Sequence, residues 1–154
     1  MAKKRPVVGV VMGSDSDLET MKRCLKQLDH FRIPYEVRVI SAHRTPGTAH
    51  EYAATAIRRG LKVIIAAAGM SAALGGVFAA NTTLPVIGVP MIAGTLGGLD
   101  AALSKMQMPS GVPVGCMSIG APGATNAAIF AAQILAICDE KLARKLTQFK
   151  DAQG

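Results

Sequence analysis

Val7-Val8-Gly9-Val10-Val11-Met12, followed at once by Gly13-Ser14-Asp15-Ser16-Asp17, decides the fold class of this chain. The first six residues are apolar and mostly β-branched with no polar residue among them, as in a strand buried on both faces. The polar cluster ends the strand, and residues 17–28 then read as a helix. The unit recurs along the chain: residues 36–40, 62–66, 86–89 and 114–119 read as strands, and residues 46–59, 71–81 and 96–105 as helices between them. Five buried strands joined by crossover helices imply an α/β fold, a parallel five-stranded sheet covered on both faces in three αβα layers. Local punctuation agrees. Thr45-Pro46 looks like an N-cap followed by proline at the first helical position, and Arg58-Arg59-Gly60 like a basic last turn closed by glycine.

Outward from that core, the amino-terminal Met1-Ala2-Lys3-Lys4-Arg5-Pro6 is charged, but the apolar run after it is short, broken by Gly9 and followed by Asp15 and Asp17. It reads as the lead into a first strand and not as a secretory signal. A chain of 154 residues is expected to form a single domain, residues 1–154. Half of the residues are hydrophobic, yet no apolar run reaches the ~18 uncharged residues of a membrane span, so no membrane partner is expected. Cys24, Cys116 and Cys138 have neither even count nor metal-ligand spacing, which argues against a disulfide frame or a metal site and suits a reducing cytoplasm. The formal charge of +7 raises nucleic acid as a partner. The basic residues are dispersed, however, with their densest groups at residues 3–5 and in the last helix, and two Tyr, four Phe and no Trp leave little to stack on bases. A basic surface favours an anionic metabolite instead.

After the fifth strand, residues 124–138 form a long helix that is apolar on nearly every side, including Ile129 and Ala132, and residues 139–150 continue as a charged helix. A helix hydrophobic all round must be covered all round. One small sheet hardly suffices, so the C-terminal helices are expected to pack between subunits of a homo-oligomer. The alternative is a central helix covered within one chain.

Three clusters follow the first three strands: Gly13-Ser14-Asp15-Ser16-Asp17, Ser41-Ala42-His43-Arg44-Thr45 and Ala68-Gly69-Met70-Ser71. In a parallel sheet all three are carboxyl-end loops. With the flavodoxin-like strand order 2-1-3-4-5 they converge on the crevice at the switch point between the first and third strands. The first cluster offers hydroxyls, a carboxylate and free N–H groups at a helix start, a cradle for phosphate or sugar hydroxyls; an ordinary cap by Ser14 or Ser16 accounts for the same residues equally well. No G-x-x-x-x-G-K-[ST] or G-x-G-x-x-G occurs, which removes most of the support for ATP and NAD. In the second cluster Arg44 can take a phosphate bidentately while the His43 imidazole moves protons, although a loop histidine is often structural. His30 and His50 lack such company and read as solvated or capping. The third cluster, extended to Ala72-Ala73-Leu74-Gly75-Gly76, is small and uncharged, suited either to a dry pocket wall or to close helix-to-sheet packing.

These residues resemble the PurE family, which interconverts carboxylated forms of aminoimidazole ribonucleotide. The resemblance spans nearly the whole chain: Val-Met-Gly-Ser-Asp-Ser-Asp near the start, Ser-Ala-His-Arg-Thr-Pro after the second strand, Leu-Pro-Val-Ile-Gly-Val-Pro at residues 84–90, Gln-Met-Pro-Ser-Gly-Val-Pro-Val-Gly at residues 107–115, and Gly-Ala-Pro-Gly-Ala-Thr-Asn-Ala-Ala from Gly120. It implies a flavodoxin-like αβα subunit in an octamer, acting in purine biosynthesis on a ribonucleotide and CO2. His43 is then the general acid/base, with Ser14, Ser16, Asp17, Ser41, Ala42, Arg44, Gly69, Ser71, Ala72 and Leu74 binding substrate. The family's mutase reaction moves a carboxylate from the exocyclic nitrogen to C4 of the same imidazole, driven by electrons of the ring amine, with no metal, biotin or ATP as cofactor. One position departs from the pattern: Ala73 stands where mutases of this family carry a second histidine. The third cluster is thereby closer to the Arg-Ser-Asn-Ala-Leu-Ser-Gly of enzymes that add free CO2 to aminoimidazole ribonucleotide, whereas Ala-His-Arg-Thr-Pro keeps the mutase arginine. The mutase is the expected activity, with direct carboxylation as alternative. A non-catalytic flavodoxin-like module binding a flavin or nucleotide is a reading of another class, opposed by the shortage of aromatics and by His43 beside Arg44.

Overall fold

The computed structural model describes residues 5–154; Lys3 and Lys4, part of the basic group noted at the amino terminus, lie outside the described residues. In chain order the elements are β1 (Val8–Met12), α1 (Leu18–Phe31), β2 (Tyr35–Val39), α2 (Pro46–Arg59), β3 (Val63–Ala68), α3 (Leu74–Asn81), β4 (Val86–Pro90), α4 (Leu99–Met106), β5 (Gly115–Cys116), α5 (Ala121–Ala136) and α6 (Glu140–Asp151). A single 3-10 turn, Asp15–Asp17, leads into α1. The sheet is parallel throughout with strand order β2-β1-β3-β4-β5. This is the flavodoxin-like α/β arrangement expected from the strand pattern.

The strand alternation divides the interior into two cores. Val8, Val10 and Met12 of β1 and Val63, Ile65 and Ala67 of β3 face α1, α5 and α6, while Val11, Ile64, Ala66 and Ala68 face α2 and α3. Both faces are buried, so the strands read as continuous apolar runs. On the second face the Tyr52 hydroxyl lies above Gly9, where a Cβ would meet it at 2.3 Å, and donates a 2.8 Å hydrogen bond to Glu36. Arg59 pairs with the same carboxylate and lies over the Tyr52 ring.

Helix α2 has the expected bounds, and Gly60 ends it in the left-handed conformation at φ 96°. Thr45 occupies the N-cap position without capping through its side chain; its hydroxyl donates instead to Ser41 O at 2.9 Å. Helix α3 starts at Leu74 and not at residue 71, because Met70 takes a left-handed φ of 51° that a helix does not accommodate. Gly97 and Gly98, at φ 59° and 91°, delay α4 to Leu99. The fifth strand shrinks to two residues, paired with Ile87 and Gly88; Pro113, just before it, has no N–H to give.

Helix α5 is only partly covered within the chain: Phe130 on it and Ile137 just after it remain 39% and 82% exposed. Its alanine strip, Ala124, Ala127, Ala128, Ala131 and Ala132, is fully buried in the chain's own core against α1 and the sheet. Small residues let α1 and α5 approach closely enough to cover that face without a second subunit. A charge at Ala132 would therefore disrupt this chain's own interior rather than report on an interface. His30 is exposed as expected, but its ring also packs on Phe31 and Phe149, joining α1 to α6.

Candidate active site

The three carboxyl-end loops meet around one cavity of about 380 Å³ at the switch point between β1 and β3. Its lining includes every residue proposed from sequence: Ser14, Ser16, Asp17, Ser41, Ala42, His43, Arg44, Gly69, Ser71, Ala72 and Leu74. Gly13, Ala68, Met70, Ala73 and Ala93 complete it. Among the described residues no aromatic ring besides the His43 imidazole lines the cavity, which disfavours the sandwiching of a flavin there.

The first loop is organised by its own polar groups. Ser14 is the N-cap of the 3-10 turn: its hydroxyl accepts from Ser16 N–H at 3.3 Å, and Asp17 reaches back to accept from Ser14 N–H at 3.2 Å. The Ser16 hydroxyl donates to Ser14 at 2.8 Å. The turn thus occupies the Ser14 hydroxyl fully, which also donates to Asp15 at 3.2 Å, while Asp17 keeps its second oxygen and Ser16 its lone pairs for a ligand. Burial pushes the Asp17 carboxyl above its ordinary range, opposed by the Ser14 N–H and by the positive charge of Lys105.

In the second loop the Ser41 hydroxyl accepts from Arg44 N–H at 3.2 Å, and the Ser41 carbonyl accepts from Thr45. This turn presents His43 and Arg44 side by side, both exposed. Neither side chain has an ion pair or hydrogen-bond partner among the described residues, so both are available to a ligand. The third loop, residues 68–74, forms a wall without charge. Ala72 N–H donates to Gly69 O at 3.2 Å, closing the turn that Met70's left-handed backbone makes.

A single family model covers residues 7–154, that of AIR carboxylase. The chain belongs to the AIR carboxylase family. Similar members include N5-carboxyaminoimidazole ribonucleotide mutase of Bacillus subtilis, 56% identical over 96% of this chain and 91% of that protein. The protein of the same name from Pyrococcus abyssi is 52% identical over 95% of this chain and 83% of its own length. Among solved structures, Treponema denticola PurE superposes with a TM-score of 0.82 at 29% identity, covering 97% of this chain and 92% of that one. The PurE resemblance of the motifs and the parallel five-stranded sheet therefore agree.

One feature of this site escaped the reading of its loops. Lys105 of α4 is 1% exposed, and its ammonium donates to Ala68 O at 3.0 Å, directly behind the uncharged wall. Burial pulls its pKa down to about 8. The signal was present: Ala101, Ala102 and Lys105 share the buried face of α4, and a lysine at a core position of a helix is unusual. Ala93, from the loop after β4, was also missed, because a lone alanine in a glycine-rich loop carries no chemical signature.

Proposed function

We propose that this chain is an N5-carboxyaminoimidazole ribonucleotide mutase of purine biosynthesis, converting the N-carboxylated ribonucleotide into 4-carboxy-5-aminoimidazole ribonucleotide. The observation that carries the reading is the switch-point cavity, where an available His43 and Arg44 face a small uncharged wall, in a chain more than half identical to a protein of that name. Arg44 suits a phosphate, and Asp17 with Ser41 suits ribose hydroxyls. His43 gives a proton to the exocyclic nitrogen as the N–CO2 bond breaks. CO2 stays against residues 68–74, the ring amine drives C4 onto it, and His43 takes the proton that C4 releases, so one imidazole returns to its starting state. The small wall supports retention of CO2 because, apart from the Ser71 hydroxyl, its side chains offer no polar group around which water would order.

A second reading, direct carboxylation of aminoimidazole ribonucleotide, draws on Ala73, which lines the cavity where the resemblance puts a second histidine in mutases. Incubation with the N-carboxylated ribonucleotide, and separately with aminoimidazole ribonucleotide plus bicarbonate, both without ATP, decides between them. Rapid product formation only from the former is expected; the reverse preference replaces the mutase by the carboxylase, and inertness toward both removes the enzymatic reading.

The chain is further expected to act in the cytoplasm as a homo-oligomer, an octamer by resemblance. Ile92, Leu96, Leu99 and Met106 are more than half exposed within one stretch of the chain, an apolar patch of the kind that subunits cover. Light scattering at micromolar concentration tests this, and a mass near one 16.0 kDa chain would refute it.

A further inference from the structure

The wall formed by residues 68–74 has no charge of its own, yet the mutase reaction begins and ends with a carboxylate that this wall has to receive. An anion set against apolar atoms loses its water and is disfavoured unless a fixed positive charge lies near. His43 and Arg44 stand on the opposite, exposed wall, where solvent screens them. Behind the uncharged wall lies Lys105, the one charged side chain among the described residues that is fully buried.

Its placement is tightly defined. The aliphatic stem crosses β4 at Gly88, where a Cβ would stand 2.6 Å from Lys105 Cδ, so any side chain at that position would block it. The ammonium donates to Ala68 O, which also accepts from Met91 N–H at 3.1 Å, and Ala68 lines the cavity. Only this one acceptor is found for its three N–H groups among the described residues, and none of the ion pairs there involves it. The groups that face it are Asp17 from the 3-10 turn, Cys116 from β5 and Asp100 of its own helix.

We propose that Lys105 is a positioning residue of the carboxylate transfer, the buried cation whose field favours a carboxylate at the uncharged wall of the cavity. It acts through the Ala68 peptide without touching substrate: donation to the Ala68 carbonyl draws electron density toward that oxygen and leaves the face of the peptide toward the cavity more positive. The inference rests on the mutase reading for its substrate, and on the burial and hydrogen bond of Lys105 for its charge. A pKa of about 8 adds that this field weakens as the amine loses its proton in mildly alkaline solution.

The test measures binding by calorimetry, separately from turnover. Lys105→Met keeps the length of the side chain and removes the charge. At pH 7 it should bind 4-carboxy-5-aminoimidazole ribonucleotide about tenfold more weakly than wild type, while its affinity for aminoimidazole ribonucleotide, which lacks the carboxylate, changes by less than about threefold. The wild-type preference for the carboxylated ligand should shrink between pH 7 and 9.5, and that of the variant should not. Equal affinity changes for the two ligands, or none, overturn the proposal. If Lys105→Met does not fold, the wild type decides alone: a carboxylate preference that stays constant to pH 9.5 refutes the role of Lys105. A protein that shows the Lys105-dependent preference but turns over neither ribonucleotide refutes the mutase reading and leaves the electrostatic role standing; one that binds neither ligand refutes both.

Discussion

The polar wall of the cavity, formed by Ser14 to Asp17 and Ser41 to Arg44, is held together by bonds between residues at most four apart, while the opposite wall at residues 68–74 is held from behind by a lysine 37 residues away in the chain. The first is a local structure: hydroxyls and a carboxylate cap a turn at Ser14 to Asp17, and the Ser41 turn presents His43 and Arg44 at the cavity. The second owes its shape to small residues and its electrostatics to α4, one strand further on. A local wall tolerates change one group at a time, because each bond has water as an alternative. A wall supported from the core does not tolerate loss of the acceptor, because the buried cation left behind has no other partner.

The largest effect should come from the local wall. His43→Asn removes the group that moves protons and is expected to lower turnover by about 10²–10⁴-fold while leaving ribonucleotide affinity within about tenfold. Steady-state rates and calorimetry check this; turnover within tenfold of wild type would transfer the proton chemistry to another group and dissolve the distinction between the walls.

Next comes the supported wall, read through stability. The fall of the Lys105 pKa from 10.5 to about 8 corresponds to about 3 kcal/mol by which the fold disfavours the charged amine. The unfolded chain binds the extra proton between pH 8 and 10.5, so this contribution raises stability as pH increases through that window, and below pH 8 the whole penalty is present. Cys24 works in the other direction: burial pushes its thiol up to about 12 from 9.0, so the unfolded chain releases a proton near pH 9 that the fold retains, and stability falls above that point. The difference between wild type and Lys105→Met cancels the cysteine. Lys105→Met should be the more stable protein at pH 7 in urea melts, with the gap closing from pH 8 to 10; a gap independent of pH would mean that the ammonium is already well accommodated.

Smaller again is Arg44→Lys, which replaces a planar fork by a point charge and should weaken ribonucleotide binding about tenfold with little effect on the dephosphorylated nucleoside. Equal losses for both would remove the phosphate from Arg44. Smallest is Thr45→Ala, which deletes the hydroxyl bonded to Ser41 O and should reduce stability by less than about 1 kcal/mol in the same melts, since water replaces an exposed hydrogen bond. A larger loss would show that the local wall is less independent than its bonding suggests.

The same contrast explains what could be read before any coordinates. The sheet, its order and the convergence of three loops follow from apolar runs and turn residues, and the polar site residues announce themselves by type. Met70 does not, because a non-glycine residue in the left-handed region has no compositional mark. Nor does the cover over α5: nothing in the run says that its alanines face α1 within the chain while Phe130 and Ile137 stay exposed, and only the packing shows it. Lys105 was legible as an oddity of α4 and not as a wall of the site, since its stem reaches Ala68 only through the gap left at Gly88.

That packing of α1 on α5 also sets an order of events during synthesis. Met21, Cys24, Leu28 and Phe31 on α1 leave the ribosome about ninety residues ahead of the helix that covers them, an interval of roughly 5–20 s at ordinary elongation rates. β1 can pair with β2 and β3 well before then, but one flank of the growing sheet stays uncovered until α5 is made. A chain stopped after Gly120 should therefore bind a hydrophobic dye that the full-length chain excludes. The nascent protein passes through its most aggregation-prone form late, with all five of its strands already made.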